Sequence, residues 1–239
     1  MAVVSVKNVG SQSSNATTKV VTVPAAGCAV GNFLVVLAGC NGNVTVSSVV
    51  DTQGNTYAEL NRVSITSPNN NTCTVWYSRL GTALVSGNTI TLTWSAKVNG
   101  SISVEEFSGV TTTTNGTNTG SGTSTTPSVT FTPTNATDLV IANLWERAGE
   151  FVTFTQDSDS NGGDTWHAFA TVPIDSVGSV LRASYKAPTS VATQTYNPTL
   201  GSSITWLEVV GALVSDYTWA RERPYGIRGN RQMRQLLAT

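Results

Sequence analysis

Charged side chains are scarce in this chain. Only 11% of its 239 residues are Asp, Glu, Lys or Arg, whereas an ordinary soluble domain has about 25%. This scarcity excludes a coiled coil, which needs Glu and Lys beside its apolar seam, and a charge-rich disordered chain. The formal net charge of −1 gives no overall attraction to nucleic acid or to anionic lipid. The chain also lacks an apolar run of the roughly 18 residues that a membrane-spanning helix needs, so no membrane association is expected.

Cysteine and histidine are rare as well. The three cysteines, Cys28, Cys40 and Cys73, are widely spaced and form no C-x-x-C pair, which argues against a zinc site. We expect them to be buried free thiols that act as small apolar side chains. A disulfide between Cys28 and Cys40 is the alternative.

The residues that catalysis usually requires are also few. The single histidine, His167, has no G-x-S-x-G nucleophile motif to act with, and no phosphate-binding or dinucleotide-binding glycine motif is present. Glu105 and Glu106 are neighbours in a predicted strand, so they point to opposite faces and cannot act as a pair across one cleft. We therefore predict a protein that is not an enzyme, with no catalytic residue and no cofactor.

Hydroxyl and amide side chains take the place of charge. Ser and Thr supply 63 residues and Asn another 19, and Val and Thr are the two commonest types, which favours strands. Residues 32–38 form a continuous apolar run, typical of a strand covered on both faces. Residues 89–94 alternate, with Ile90, Leu92 and Trp94 predicted to face inward. The adjacent Glu105 and Glu106 break this period and suggest a bulge or a strand end.

Several patterns of the first half recur in the second. Residues 32–38 resemble 138–145, residues 54–57 resemble 163–166, residues 75–78 resemble 181–185, and residues 102–109 resemble 204–211. We predict an all-β fold of two tandem antiparallel β-sandwich halves of jelly-roll or Greek-key type, residues 1–110 and 128–219. Residues 111–127, nearly all Thr, Gly, Ser and Asn, are predicted to be a linker or a long loop. One larger sandwich built from both halves is the alternative.

The C-terminal segment, residues 220–239, differs from the rest in charge. Residues 1–219 have a net charge of −5, whereas residues 220–239 carry five arginines and one acidic residue, a net charge of +4. Asn230 is a suitable N-cap, and Met233, Leu236 and Leu237 would form one apolar stripe on a short helix.

So short a helix is marginal in isolation and needs a surface. It could dock on its own sandwich, remain a frayed tail, or anchor the chain to a partner subunit; we predict the last. Nucleic acid is not expected to bind the arginines, because the rest of the chain is acidic and would repel phosphate. The predicted docking residues are Arg221, Arg223, Tyr225, Arg228, Arg231, Met233, Arg234, Leu236 and Leu237.

Two further features suggest ligands. Residues 157–162 match the opening D-x-D-x-N-G of a calcium loop, but the expected Glu at the twelfth position is Ala168. The segment also fits a polar hairpin turn, so we predict no metal and keep Asp157, Asp159, Asn161 and Asp164 as a weak calcium candidate. Of the six tryptophans, Trp76 and Trp166 are predicted to be the most exposed, and exposed indoles could stack on a glycan.

Resemblance to known proteins gives these features a context. Residues 48–57, 75–77 and 102–109 resemble a β-sandwich family found in tailed-phage and bacterial surface proteins, and residues 223–227 and 231–237 resemble the ends of virion accessory proteins from actinobacterial phages. The resemblance implies a minor tail protein or a capsid decoration protein, located in the virion and bound to other virion proteins in several symmetry-related copies. It carries no catalytic residue.

The N-terminus agrees with this context because it has no basic region or apolar stretch typical of a signal peptide. We therefore expect synthesis in the cytoplasm of a bacterial host and release by lysis. The alternative function is a carbohydrate-binding module or an adhesin for host-surface glycans.

Overall fold

The computed structural model describes residues 2–147, 151–169, 171–174 and 178–216, which form β-strands and contain no helix. Within this part of the chain there is consequently no helix long and apolar enough to cross a membrane. The strands are β1 (Val4–Thr22), β2 (Phe33–Asn41), β3 (Val46–Asp51), β4 (Ala58–Ile65), β5 (Asn71–Arg79), β6 (Thr89–Ser108), β7 (Val110–Ser124), β8 (Val129–Phe131), β9 (Leu139–Arg147), β10 (Phe154–Thr155), β11 (His167–Ala168), β12 (Val172–Ile174), β13 (Ser179–Lys186), β14 (Gln194–Tyr196), β15 (Thr199–Leu200) and β16 (Ile204–Ser215).

The strands form two six-stranded antiparallel sheets. The first has the order β1-β6-β2-β5-β4, with β3 also paired to β6, and the second has the order β7-β16-β9-β13-β11, with β12 also paired to β13. Each sheet therefore begins with a long edge strand that pairs with the last strand of the same half. Two small sheets, β8-β14 and β10-β15, complete the described structure. The predicted all-β, antiparallel class is confirmed.

The two large sheets pack face to face and share an apolar core, here called the inter-sheet core. Phe33, Val35 and Leu37 of β2 face Leu139, Ile141 and Trp145 of β9 within it. These side chains are the odd-numbered residues of strands whose even-numbered residues point to the opposite face, as the two-residue period of a strand requires. The halves are thus packed against each other through the same hydrophobic cluster.

Each large sheet also has an apolar outer face. The first outer core contains Leu34 and Val36 of β2 with Ile90 and Trp94 of β6. The second outer core contains Val140 and Leu144 of β9, together with residues of β8 and β14 such as Phe131 and Tyr196. Every residue of β2 from Phe33 to Cys40 is buried. This confirms the prediction that the apolar run of residues 32–38 is covered on both faces.

Polar side chains connect the two sheets at the centre of the inter-sheet core. The Asn143 side-chain amide donates to the backbone carbonyls of Ala38 (3.2 Å) and Thr74 (2.9 Å) in the first sheet. The Trp145 indole N–H donates to Asn71 Oδ1 at 3.3 Å. Opposite Trp145 the first sheet has Gly39, where an added Cβ would lie 2.2 Å from the indole ring. The close approach of the sheets therefore depends on a glycine, and a buried hydrogen-bonding pattern fixes their alignment.

The prediction of a linker or loop at residues 111–127 is wrong for most of that range. Residues Val110–Ser124 form strand β7, which pairs along β16. Threonine is a good strand former, and two of the three glycines lie beside a large side chain: Gly122 is opposite Trp206 in the register, and a Cβ at Gly120 would lie 3.3 Å from the same ring. An aromatic side chain covering a glycine gap lets a glycine-containing strand pair stably.

The prediction of a bulge or strand end at Glu105 and Glu106 is also incorrect, because β6 continues through both to Ser108. The irregularities lie on the neighbouring strand β1, whose register shifts between Ser5 and Lys7 and between Asn8 and Gly10. Both glutamates are buried because both faces of β6 are covered. The cysteines are free and buried, as predicted.

Candidate functional site

The predicted docking residues of the C-terminal segment lie outside the described residues, which end at residue 216. This applies to all nine: Arg221, Arg223, Tyr225, Arg228, Arg231, Met233, Arg234, Leu236 and Leu237. Partner docking through them stays a prediction.

The two tryptophans predicted to be exposed are not. Trp166 is only 5% exposed, donates its indole N–H to the Thr195 carbonyl at 3.0 Å, and packs edge-on against Tyr196. Trp76 is half-buried against the first outer core. The sequence could not show that the small sheet β8-β14 covers Trp166. Trp166 therefore has no free face for stacking on a sugar, and Trp76 is only partly exposed.

The calcium candidate is a loop whose oxygens already have protein donors. Asp157 accepts hydrogen bonds from the backbone N–H groups of Asp159 (2.7 Å) and Asn197 (2.8 Å), one on each oxygen. Asp159 Oδ1 accepts from the N–H of Asn161 at 2.9 Å. These are turn-forming contacts. In the described part of the chain, no group of three or more His, Cys, Asp or Glu side chains is arranged to hold a metal ion.

A lysine provides positive charge at this loop. The ammonium of Lys186, which is fully buried, lies 3.0 Å from Asp159 Oδ2, 3.5 Å from the Asn161 carbonyl and 3.4 Å from Gln194 Oε1. It also lies 5.0 Å from the centre of the Trp166 ring, a favourable cation–π distance. Lys186 therefore contributes the positive charge that a calcium ion would otherwise bring.

We accordingly expect millimolar Ca²⁺ to leave the melting temperature unchanged. Replacement of Lys186 with Met should lower the free energy of unfolding by about 2 kcal/mol, because it removes a buried charge-assisted hydrogen bond. Thermal and urea unfolding with and without Ca²⁺ measure both effects, and Lys97→Met, at an exposed position in β6, is the matched control. A rise in the melting temperature of the natural chain with Ca²⁺ would contradict this assignment.

His167, the single histidine, is exposed on the short strand β11. Its Nε2 lies 3.0 Å from Asp164 Oδ1, and its ring stacks on Tyr185. Asp164 Oδ2 in turn accepts from the N–H of Ala187 at 2.8 Å. The histidine and its carboxylate thus belong to a surface turn and have no nucleophile in their contacts.

Buried carboxylates are the feature that sequence reasoning missed. On the outer face of the second sheet, Glu146 pairs with Arg182 at 2.8 Å, and the guanidinium lies over the Phe154 ring. Burial raises the pKa of Glu146 to about 7, although Arg182 acts in the opposite direction. On the neighbouring strand Glu208 is fully buried, and neither of its carboxylate oxygens has a hydrogen-bond partner. Burial raises the pKa of Glu208 well above its ordinary value, and the charge of Asp157 adds to this effect.

The first sheet has a buried carboxylate at the corresponding place. Glu106 is 1% exposed, and residues 102–109 correspond in pattern to residues 204–211, which contain Glu208. Unlike Glu208, Glu106 has close polar neighbours: Lys7 Nζ is 2.7 Å from its Oε2, and the Asn32 side-chain amide donates to its Oε1 at 2.6 Å. Burial, with a further contribution from Glu106, raises the pKa of the nearby Cys28 thiol to about 12.

The other glutamate of this pair lies in the inter-sheet core. Glu105 accepts hydrogen bonds from the Asn8 amide at 2.5 Å and from the Ser103 hydroxyl at 3.1 Å. Burial raises its pKa to about 7, while these two hydrogen bonds act to lower it. The signal in the sequence was a pair of charged residues inside an apolar strand pattern, but Lys7 and Asn8, which contact them, lie at the other end of the first half of the chain.

Two shallow surface depressions lie in the described part of the chain. One is lined by Phe151, Thr153 and Ser202, and the other by Ala26, Cys28 and Leu84. Neither is lined by a carboxylate, a histidine or a lysine. Comparisons of the chain with protein-family models, with curated proteins and with solved structures found no match.

Proposed function

We propose that this chain is a non-enzymatic structural protein of a bacteriophage virion, either a minor tail protein or a capsid decoration protein. The observation that carries the proposal is the break in charge at residue 220: residues 1–219, with a net charge of −5, are followed by residues 220–239, with a net charge of +4. Opposite charges on two parts of one chain favour contacts between neighbouring copies or with an acidic partner.

The folded part has properties suited to display on a particle. Exposed strand positions carry threonine and serine, as in β7. The finer proposal for its architecture is that the two sheets belong to tandem jelly-roll halves. The equivalent strand orders and the corresponding positions of Glu106 and Glu208 support it.

In this proposal residues 220–239 anchor the chain. The arginines pair with carboxylates of another virion protein, and the stripe of Met233, Leu236 and Leu237 inserts into an apolar groove on it. Several symmetry-related copies would then be displayed, each with its β-sandwich directed outward.

Deletion of residues 221–239 should leave the melting temperature of the folded part unchanged and abolish incorporation into purified particles. Quantitative mass spectrometry of particles assembled with the natural or the truncated chain measures this. A matched pair of variants tests whether incorporation depends on the positive charge of the five arginines or on their side-chain shape. Changing all five to lysine keeps the charge, whereas changing them to glutamine removes it. Normal incorporation of the truncated chain would contradict the proposal.

Glycan binding is not proposed as a second function. The indoles on which it depended, Trp76 and Trp166, are half-buried and buried, respectively.

The neighbouring genes provide a separate check of the proposed virion role. If the proposal is correct, we expect capsid and tail genes on both sides of the gene for this chain.

A further inference from the structure

Three chemically complementary side chains lie together on the outer face of the first sheet. Lys7 on β1 is directly opposite Glu106 on β6, and Glu106 is directly opposite Leu34 on β2. Asn32 precedes Leu34 by two residues, so it points to the same face as Leu34. The register of three adjacent strands thus brings an amine, a carboxyl and a carboxamide to one place.

The distances place the carboxyl of Glu106 between the other two groups. Its Oε1 accepts a hydrogen bond from Asn32 Nδ2 at 2.6 Å and another from the backbone N–H of Ala29 at 3.1 Å. Its Oε2 lies 2.7 Å from Lys7 Nζ but accepts no hydrogen bond. Lys7 Nζ instead donates to the carbonyl of Gly27. The amine and the carboxamide are therefore held on the two oxygens of a single carboxylate.

The surroundings favour reaction over simple ion pairing. The Glu106 side chain is 1% exposed and that of Lys7 is 23% exposed, and Leu34, Val104 and Cys28 of the first outer core share this face. The 2.7 Å between Lys7 Nζ and Glu106 Oε2 is short enough for a proton to pass directly between the two groups. An amine and a carboxamide that are held on one carboxylate react faster than the same groups free in solution, because most of the entropy of association has already been lost.

We propose that Lys7 and Asn32 form an intramolecular amide bond, with Glu106 transferring the protons. The Lys7 ammonium gives one proton to Glu106, and the neutral amine attacks Asn32 Cγ. In the tetrahedral intermediate the Lys7 nitrogen loses a second proton, and Asn32 Nδ2 gains one through Glu106. The Cγ–Nδ2 bond then breaks, and Nδ2 leaves as ammonia, which takes up the remaining proton as ammonium. The products are the Lys7–Asn32 amide, one ammonium ion and the Glu106 carboxylate, so no oxidant or other reactant is needed.

The bond would connect the edge strand β1 to the residue preceding β2. It would close a loop between residues 7 and 32 and restrict the unfolded chain, as a disulfide does, without depending on redox conditions. It would also prevent separation of β1, which pairs only with β6 among the described strands. This chemistry is independent of the proposed virion role, so either can fail without the other.

Intact-mass spectrometry of the purified full-length chain tests the proposal. The measured mass should be lower than the sequence mass by one ammonia molecule. Trypsin should fail to cleave after Lys7, and the digest should contain residues 1–19 joined to residues 20–62 as one branched species. Lys7→Arg, which keeps the positive charge, and Glu106→Gln should both restore the full sequence mass.

Two comparisons distinguish the Lys7–Asn32 amide from other reactions that release ammonia. Asn32→Asp retains the acyl group but replaces the leaving nitrogen with oxygen, so its mass should fall by one water molecule. Succinimide formation at an Asn-Gly sequence, such as Asn41-Gly42, also releases ammonia, but that loss would persist in Lys7→Arg and would give no branched peptide. The full sequence mass in a folded natural chain, or a mass loss without the 1–19 and 20–62 linkage, would overturn the proposal.

Discussion

Replacement of Trp145 with alanine is expected to lower the free energy of unfolding by about 3–5 kcal/mol, the usual range for removal of a large aromatic side chain from a core. Trp145 is fully buried between the two sheets, where its ring lies against Gly39 and its indole N–H bonds to Asn71. The substitution removes the ring contacts and leaves the Asn71 oxygen without its donor. Urea unfolding followed by circular dichroism measures the loss.

The strands that Trp145→Ala destabilises are as informative as the size of the stability loss. Because Trp145 belongs to the second half but packs on the first, the variant should also accelerate hydrogen exchange in β2 and β5 of the first sheet. Trp76→Ala, at a half-buried position, is the matched control and should cost clearly less. Trp145→Phe, which keeps part of the ring, should lie between Trp145→Ala and the natural chain. A loss confined to strands of the second half would show that the sheets do not form one cooperative unit.

Sequence patterns predicted the fold where periodicity alone decides burial. The alternation of residues 89–94 placed Ile90, Leu92 and Trp94 inward, and all three are fully buried. The apolar run of residues 32–38 correctly indicated a strand covered on both faces. In these strands the hydrophobic pattern follows the two-residue period of the backbone. The pattern therefore predicts which side chains are buried without knowledge of distant neighbours.

Prediction failed where a distant neighbour determines the environment. The glycine- and threonine-rich residues after Val110 resemble a linker in isolation and become strand β7 because β16 supplies the pairing partner and Trp206 fills the glycine gap. Trp166 follows a polar turn but is covered by strands some 30 residues away in sequence on either side. The composition of a segment is a local property, whereas its burial depends on which distant residues of the chain pack against it.

The same reason explains why the candidate sites were missed. Glu106 is a charged residue within an apolar strand pattern, and its partner Lys7 lies at the other end of the first half of the chain. A charged residue inside a strand pattern is therefore a useful signal, but the chemistry becomes visible only when the register is known. In this chain Glu106 contacts an amine and a carboxamide, whereas the carboxylate oxygens of the corresponding Glu208 have no hydrogen-bond partner.

Glu208 should make the stability of the protein decrease as the pH rises. Its carboxyl is fully buried without a hydrogen-bond partner, and burial raises its pKa in the folded state above the ordinary value of 4.5. A raised pKa means that the folded state holds a proton that the unfolded state releases. The contribution of Glu208 is thus fully present below the unfolded-state pKa and is lost progressively until the pH reaches the folded-state value. The slope approaches about 1.4 kcal/mol per pH unit in that window.

Glu208→Gln removes the titrating group but keeps the side-chain shape, so its free energy of unfolding should lack this slope. The variant should become increasingly more stable than the natural chain as the pH is raised from 4 to 8, and urea unfolding at several pH values gives the difference directly. Glu59→Gln, at a partly exposed carboxylate on β4, is the matched control and should leave the slope of the natural chain in place. Comparing each variant with the natural chain cancels the contributions of Glu105 and Glu146, whose pKa values burial also raises. A constant difference between Glu208→Gln and the natural chain across this range would mean that the Glu208 carboxyl finds water or a partner in solution. In that case the second outer core would be less closed than its apolar lining indicates.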